Sequence, residues 1–195
     1  MRRGILIAIA VVVLVLLLFG GACVSRYNRL VNFRETIDGN WAQVENVLQR
    51  RNDLIPNLVN TVKGYASHER EVFDNVAQAR ARLAGATNVT ETMEANMAMG
   101  GALARLLAIV ENYPQLKADQ TFIRLQDELA GAENRIAVER RNYNESVRTY
   151  NVYVKQFPNN TIAGLFGFQP EDVYFEAEEE AKEVPKVEFG GAEGD

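Results

Sequence analysis

One cysteine and one histidine among 195 residues remove most of the chemistry that a chain of this size could carry. A lone cysteine, Cys23, permits no intrachain disulfide, so the fold must stand on packing. A lone histidine, His68, permits neither a Ser-His-Asp nor a Cys-His arrangement of use, because the only thiol lies at the end of an apolar run. His68-Glu69-Arg70-Glu71 begins like a zinc-protease helix, yet Val72 stands where the second histidine is required. A di-iron bundle fails in the same way, since it needs two Glu-x-x-His pairs. No metal site or cofactor is therefore expected, and His68 reads as a solvated or hydrogen-bonded helix residue, with pH sensing as the minor alternative. Glycine-rich phosphate loops are missing too. Gly100-Gly101 lies inside a helical pattern among alanines, which suggests close helix packing rather than phosphate binding. No stretch alternates with period two for long enough to make a sheet.

The charge is unevenly placed. Residues 171–195 carry ten acidic side chains against Lys182 and Lys186, a local charge of -8 out of a net -5, so the preceding 170 residues carry +3. Neither part has the clustered basic stripe that phosphate backbones require, which excludes nucleic acid as an expected partner. The acidic tail reads as solvated.

What the chain does have is a run of twenty-one uncharged residues, 4–24, leading without a turn signal into a charged segment of helical period. That length spans a bilayer as a helix. Two readings of residues 1–25 follow. One is a retained transmembrane helix. The other is a lipoprotein signal in which Cys23 is lipidated, for which Gly20-Gly21-Ala22 supplies small residues but Gly20 replaces the usual leucine-like position. Arg2 and Arg3 on one side and Arg26, Arg29 and Arg34 on the other nearly balance the positive-inside rule. A short basic start before an apolar run favours the non-cytoplasmic side for the rest.

From Tyr27 the apolar residues Leu30, Ile37, Trp41, Val44 and Leu48 recur in threes, fours and one seven, a heptad seam with Arg34 at the skipped position. The pattern breaks at Asn52-Asp53, where Asp53 is placed to cap a second helix carrying Pro56 in its first turn. That helix runs through Leu58, Val62, Tyr65, Val72, Val76 and Leu83. A third follows Gly85 to Asn88, with Thr90 as its cap, and ends at Tyr113-Pro114. A fourth, the longest, covers about 119–156. The expectation is an all-α chain: an N-terminal transmembrane helix, an antiparallel up-down-up-down four-helix bundle over residues 26–157, and an apolar post-helix segment with a short acidic tail over 158–195. With that parity, the Asn52–Pro56 and Tyr113–Lys117 connections form a tip far from the bilayer. Arg50, Arg51, Asp53, Pro56 and Tyr113 are then candidate interaction residues. Tyr143-Asn144 and Tyr150-Asn151 repeat at seven-residue spacing and share one face, a polar layer or a groove for a partner helix or peptide. Arg34, Glu69 and Glu139 interrupt the seam at or near core-facing positions.

Several blocks carry a resemblance. Tyr27-Asn28-x-Leu30-Val31, Trp41-x-x-Val44 and Arg50-Arg51-x-Asp53-Leu54-Ile55-Pro56-Asn57-Leu58-Val59 are followed by Val62-Lys63-Gly64-Tyr65-Ala66-x-His68-Glu69 and Glu111-x-Tyr113-Pro114-x-Leu116-Lys117. Leu125-Gln126-x-Glu128-Leu129, Glu133-Asn134-Arg135-Ile136-Ala137, Arg140-Arg141-x-Tyr143-Asn144, Tyr150-Asn151, Phe157-Pro158 and Tyr174-Phe175 complete the order. Together they resemble the LemA family of bacterial membrane proteins over essentially all of the chain after residue 25. Asn52 and Asp119-Gln120-Thr121 depart from the family's usual aromatic and Asn-Glu-Asn. The resemblance implies a helical bundle behind a membrane helix, a place in the bacterial inner membrane and envelope, and no defined chemistry. The expected role is a non-enzymatic adaptor or scaffold that meets the membrane and protein partners, with a homo-oligomer as a further option. The alternative is a lipid-anchored module carrying a small ligand or peptide in the polar groove. An enzyme working through Glu69 or Glu139 is a third and lesser reading.

Overall fold

The heptad seam of the first helix does not stop where proline and asparagine suggest. In the computed structural model, which describes residues 2–175, α1 runs as one helix over Arg2–Lys63, with Pro56 inside it. The reason lies in the stripe itself. Leu30, Ile37, Val44, Leu48, Arg51, Ile55, Leu58 and Val62 are all buried, so the three-and-four spacing passes unbroken through residues 52–56 once Arg51 is admitted to it. Burial of that stripe outweighs the backbone bond that Pro56 cannot donate, and Asp53 is exposed in the helix interior rather than a cap.

The first turn of the chain therefore falls at 64–69. α2 (Arg70–Gly85), α3 (Val89–Val110), α4 (Pro114–Lys117) and α5 (Gln120–Lys155) follow, and α6 (Asn159–Leu165) is the last helix among the described residues. Among the described residues there is no strand. The cap of α3 is Asn88, whose side chain accepts from the Glu91 N–H at 2.9 Å, two residues before the expected Thr90. Asp119 caps α5 through the N–H groups of Thr121 and Phe122 at 2.8 and 2.9 Å.

Contacts between α1 and α5 fix their relative direction. Phe33 meets Tyr153, Asn40 bonds to Asn142, Arg51 to Glu133 and Tyr65 to Asp119, so the two helices are antiparallel over their shared length. Two apolar clusters lie along them. The distal one draws on α1 (Ile55, Leu58, Val62), α2 (Phe73, Val76), α3 (Met99, Leu103, Leu106), α4 (Leu116) and α5 (Phe122, Leu129). The proximal one is built mainly by α1 and α5, and α3 reaches it only through Val89 and Met93. There the third wall is the short helix α6, through Ile162 and Ala163, together with the chain after it, which supplies Phe168, Tyr174 and Phe175. Four helices thus meet only in the distal half, because α2 has 16 residues and α3 has 22 against 36 in α5.

Residues 4–24 lie on the free end of α1. Their large apolar side chains are exposed from Ile5 to Phe19, and none of the described residues covers them. At about 1.5 Å per residue this stretch is ~31 Å long, the thickness of a bilayer's hydrocarbon. Among the described residues, two helices are long and apolar enough to cross a membrane; α3, the second, is accounted for by the buried face it turns to the distal core. Gly100 and Gly101 make no close helix approach: both are exposed, and a Cβ on either would meet nothing within 4 Å. Arg34, too, is exposed rather than in the seam.

Candidate functional site

The expected far tip is not assembled. Arg50 and Asp53 are exposed within the C-terminal quarter of α1, and Pro56 lines a cleft of about 530 Å³ between α1 and α2 with Asn52, Ile55, Val59, Phe73 and Val76. Tyr113 lies elsewhere, at the N-terminus of α4 against the distal core. The true distal end is formed by 64–69 and 111–119. There Tyr65 donates its hydroxyl to Asp119 at 2.9 Å, which lifts the phenol above its ordinary range. Hydrogen bonds from the Phe122 N–H, Tyr65 and the Thr121 N–H lower the Asp119 carboxyl.

Arg51 has a different part. It is 1% exposed and sits between the two apolar clusters. One terminal nitrogen donates to Glu133 on α5 at 2.8 Å and the other to the Asn96 Oδ1 on α3 at 2.6 Å. The planar fork of the guanidinium suits this divergent pair better than an ammonium would. Its Nε and the Asn52 Oδ1 are buried without a partner among the described residues. Arg51 thus ties three helices at one level, and Asn96 and Glu133 were invisible as its partners because neither breaks its own helix pattern.

The repeated Tyr-Asn pairs of α5 do come together, on the face that receives the chain after α6. Gly167, with φ +76°, turns the chain there. Phe168 donates its N–H to the Ala163 carbonyl at 2.9 Å and Gly167 to that of Gly164 at 3.4 Å, the paired bonds of a Schellman end. Residues 169–175 then run extended along α5. Asn151 pairs both groups of its amide with one backbone unit, accepting from the Glu171 N–H at 2.8 Å and donating to the Glu171 carbonyl at 2.6 Å. Asn144 does the same to Phe175, at 2.9 and 2.8 Å. The four-residue step from Glu171 to Phe175, ~13 Å when fully extended, is long enough to span the ~10.5 Å of helix between Asn151 and Asn144. Tyr150 donates to the Gln169 carbonyl at 2.8 Å and Tyr143 to that of Val173 at 3.3 Å. Burial, and after it the charge of Glu171, pushes the Tyr143 phenol up to about 12.

Side chains of the segment are seated as well as its backbone. The Phe175 ring lies between Trp41, 6.0 Å away and stacked, and Tyr143, 5.7 Å away and edge-on, with the Arg140 guanidinium 4.7 Å from its centre. Tyr174 receives a bond from Asn151 at 2.7 Å. The aromatic pair Tyr174-Phe175 and Trp41 were legible as single residues, but nothing local connects them across more than a hundred positions. Cys23 is a free thiol within α1, which continues helically on both sides of it. Among the described residues, no three His, Cys, Asp or Glu side chains come together as a metal site would need. Residues 176–195, with most of the acidic tail, lie outside the described part.

Comparison with known proteins gives this geometry a family. "Magnetosome protein MamQ 2" of Paramagnetospirillum magneticum is 29% identical over 95% of this chain and 77% of its own length. "Magnetosome protein MamQ" of Magnetospirillum gryphiswaldense is 29% identical over 90% of this chain and 75% of its own. "Protein LemA" of Metamycoplasma hominis is 25% identical over 87% and 76%. The profile of the LemA family matches residues 40–189, which include the Arg51 junction, the whole of α5 and the Tyr-Asn face. The chain belongs to the LemA family.

Proposed function

We propose that this chain is a membrane-anchored, non-enzymatic adaptor or scaffold of the bacterial cell envelope. Residues 4–24 cross the inner membrane once, and the helices beyond residue 25 form an up-down-up-down head on the non-cytoplasmic side. The observation that carries this reading is the unbroken course of α1, whose exposed apolar end and buried heptad stripe belong to one helix. A head joined to its span without a linker is held at a fixed attitude, which suits presentation of a surface better than turnover of a substrate. The continuity of α1 past Cys23 favours a retained span over lipidation there.

The test is in-cell photo-crosslinking from His68 and Gln115, both exposed at the distal end, with Gln49 on the side of α1 as a third position. Recovery of the same protein from neighbouring positions, dependent on residues 2–24, is the expected result. Absence of any protein adduct above the irradiated control from all three positions overturns the adaptor role. Thiol labelling of Gln49→Cys in a Cys23→Ser background, in intact and permeabilised cells, tests the side.

The alternative, a binding module with a polar groove, draws its support from the Tyr-Asn face, which holds an extended segment by its backbone. Its signature is a thermal shift with added ligand and no dependence on a distal partner.

A further inference from the structure

The pairing of Asn144 and Asn151 with whole backbone units is a mode of peptide recognition. Each carboxamide presents one donor and one acceptor in a plane, as a neighbouring strand does, and so reads main chain irrespective of sequence. Selectivity comes from the seats beside it: a stacked aromatic between Trp41, Tyr143 and Arg140, and a tyrosine hydroxyl on Asn151. The sequence that satisfies all of these is residues 169–175 of this chain. In the single chain they occupy the groove in cis.

We propose that the Tyr-Asn face is a peptide groove that also receives residues 169–175 of a second copy, so that two anchored chains exchange their C-terminal segments. Three observations lead there. The contacts are the same whether the segment comes from its own chain or another, so effective concentration decides between cis and trans, and copies confined to one membrane raise the trans term. The module that would move, α6 with 169–175, is joined to α5 only through residues 156–158. Phe157 at that joint is 84% exposed, and at the far end of α6 Leu165 and Phe166 are 78% and 52% exposed, the latter edge-on to Tyr27, apolar surface at both ends of the module that an exchanging neighbour would cover.

The experiment mixes two full-length variants in the same vesicles. The donor carries Asn144→Ala and Asn151→Ala, which empties its own groove, and a photoreactive benzophenone side chain in place of the exposed Asp172. The acceptor keeps its groove and carries Tyr174→Ser and Phe175→Ser, which loosens its own segment. Irradiation is expected to give an adduct of the summed mass, with the crosslink on residues 140–154 of the acceptor. That adduct falls to background when the acceptor also carries Asn144→Ala and Asn151→Ala. An irradiated mixture that yields only single-chain adducts, with both variants showing the parent's helical circular dichroism and cooperative melting, overturns the exchange. Adducts to the acceptor that survive loss of its asparagines overturn the groove.

Discussion

Arg51 shows how one side chain changes the reading of a helix. Taken as polar, it ends the seam at Leu48 and makes Asn52-Asp53 a boundary; taken as buried, it carries the seam on to Ile55 and Val62. A buried guanidinium left without its carboxylate is costly, while replacement of the whole set by apolar residues of similar size is tolerated. Glu133→Ala should therefore lower stability by about 3 kcal/mol, less any relief from the 56% exposure of Glu133, and Arg51→Met with Glu133→Ala by less than Glu133→Ala alone. Melting of both variants beside the parent checks the order; equal losses would remove Arg51 from the centre of the junction. Tyr143 makes a second prediction at this scale. Its phenol is raised from 10.0 to about 12, so its contribution to stability is fully present below pH 10. Between pH 10 and about 12 the unfolded chain ionises while the folded one does not, and that contribution is lost. Of the seven tyrosines, Tyr65 and Tyr143 should ionise above the ordinary range in an alkaline absorbance titration, and Tyr143→Phe should remove the step at about 12.

Among the elements, the long ones were legible and their junctions were not. The stripe of α5 and its Asp119 start follow directly from the apolar spacing and one good cap. Pro56 misled because proline four residues after an asparagine looks like a first turn, and local rules have no means of weighing the buried stripe that holds the helix together across it. The Tyr-Asn repeat could be placed on one face from its seven-residue period. Its occupant could not, since an extended segment without periodicity reads as loop. Gly100 and Gly101 belong here too. With open space at both Cβ positions, neither glycine serves packing, and each weakens α3. Gly100→Ala and Gly101→Ala should each stabilise by roughly 0.5–1 kcal/mol. Denaturant melts showing a loss instead would mean that α3 is approached there by something absent from the single chain. At the other end of the helical part, Gly167→Ala should loosen residues 169–175, read as faster amide exchange at Glu171 and Phe175, because a side chain at φ +76° is strained.

At the scale of the whole molecule, α1 is the frame and, on the proposed reading, also the span. The distal core is tied to the same helix as residues 4–24, so the head cannot reorient on a flexible linker. Such a frame suits a family whose profile begins within α1 and runs past α5. The most direct measurement is the distance between spin labels at Asn28→Cys and Asn57→Cys, both exposed, in the full chain in nanodiscs with Cys23→Ser. A continuous helix puts their backbones about 43 Å apart, in a narrow distribution. A broad distribution centred well below that distance would mean that α1 breaks before Asn57, and would contradict a head held rigidly on its membrane helix.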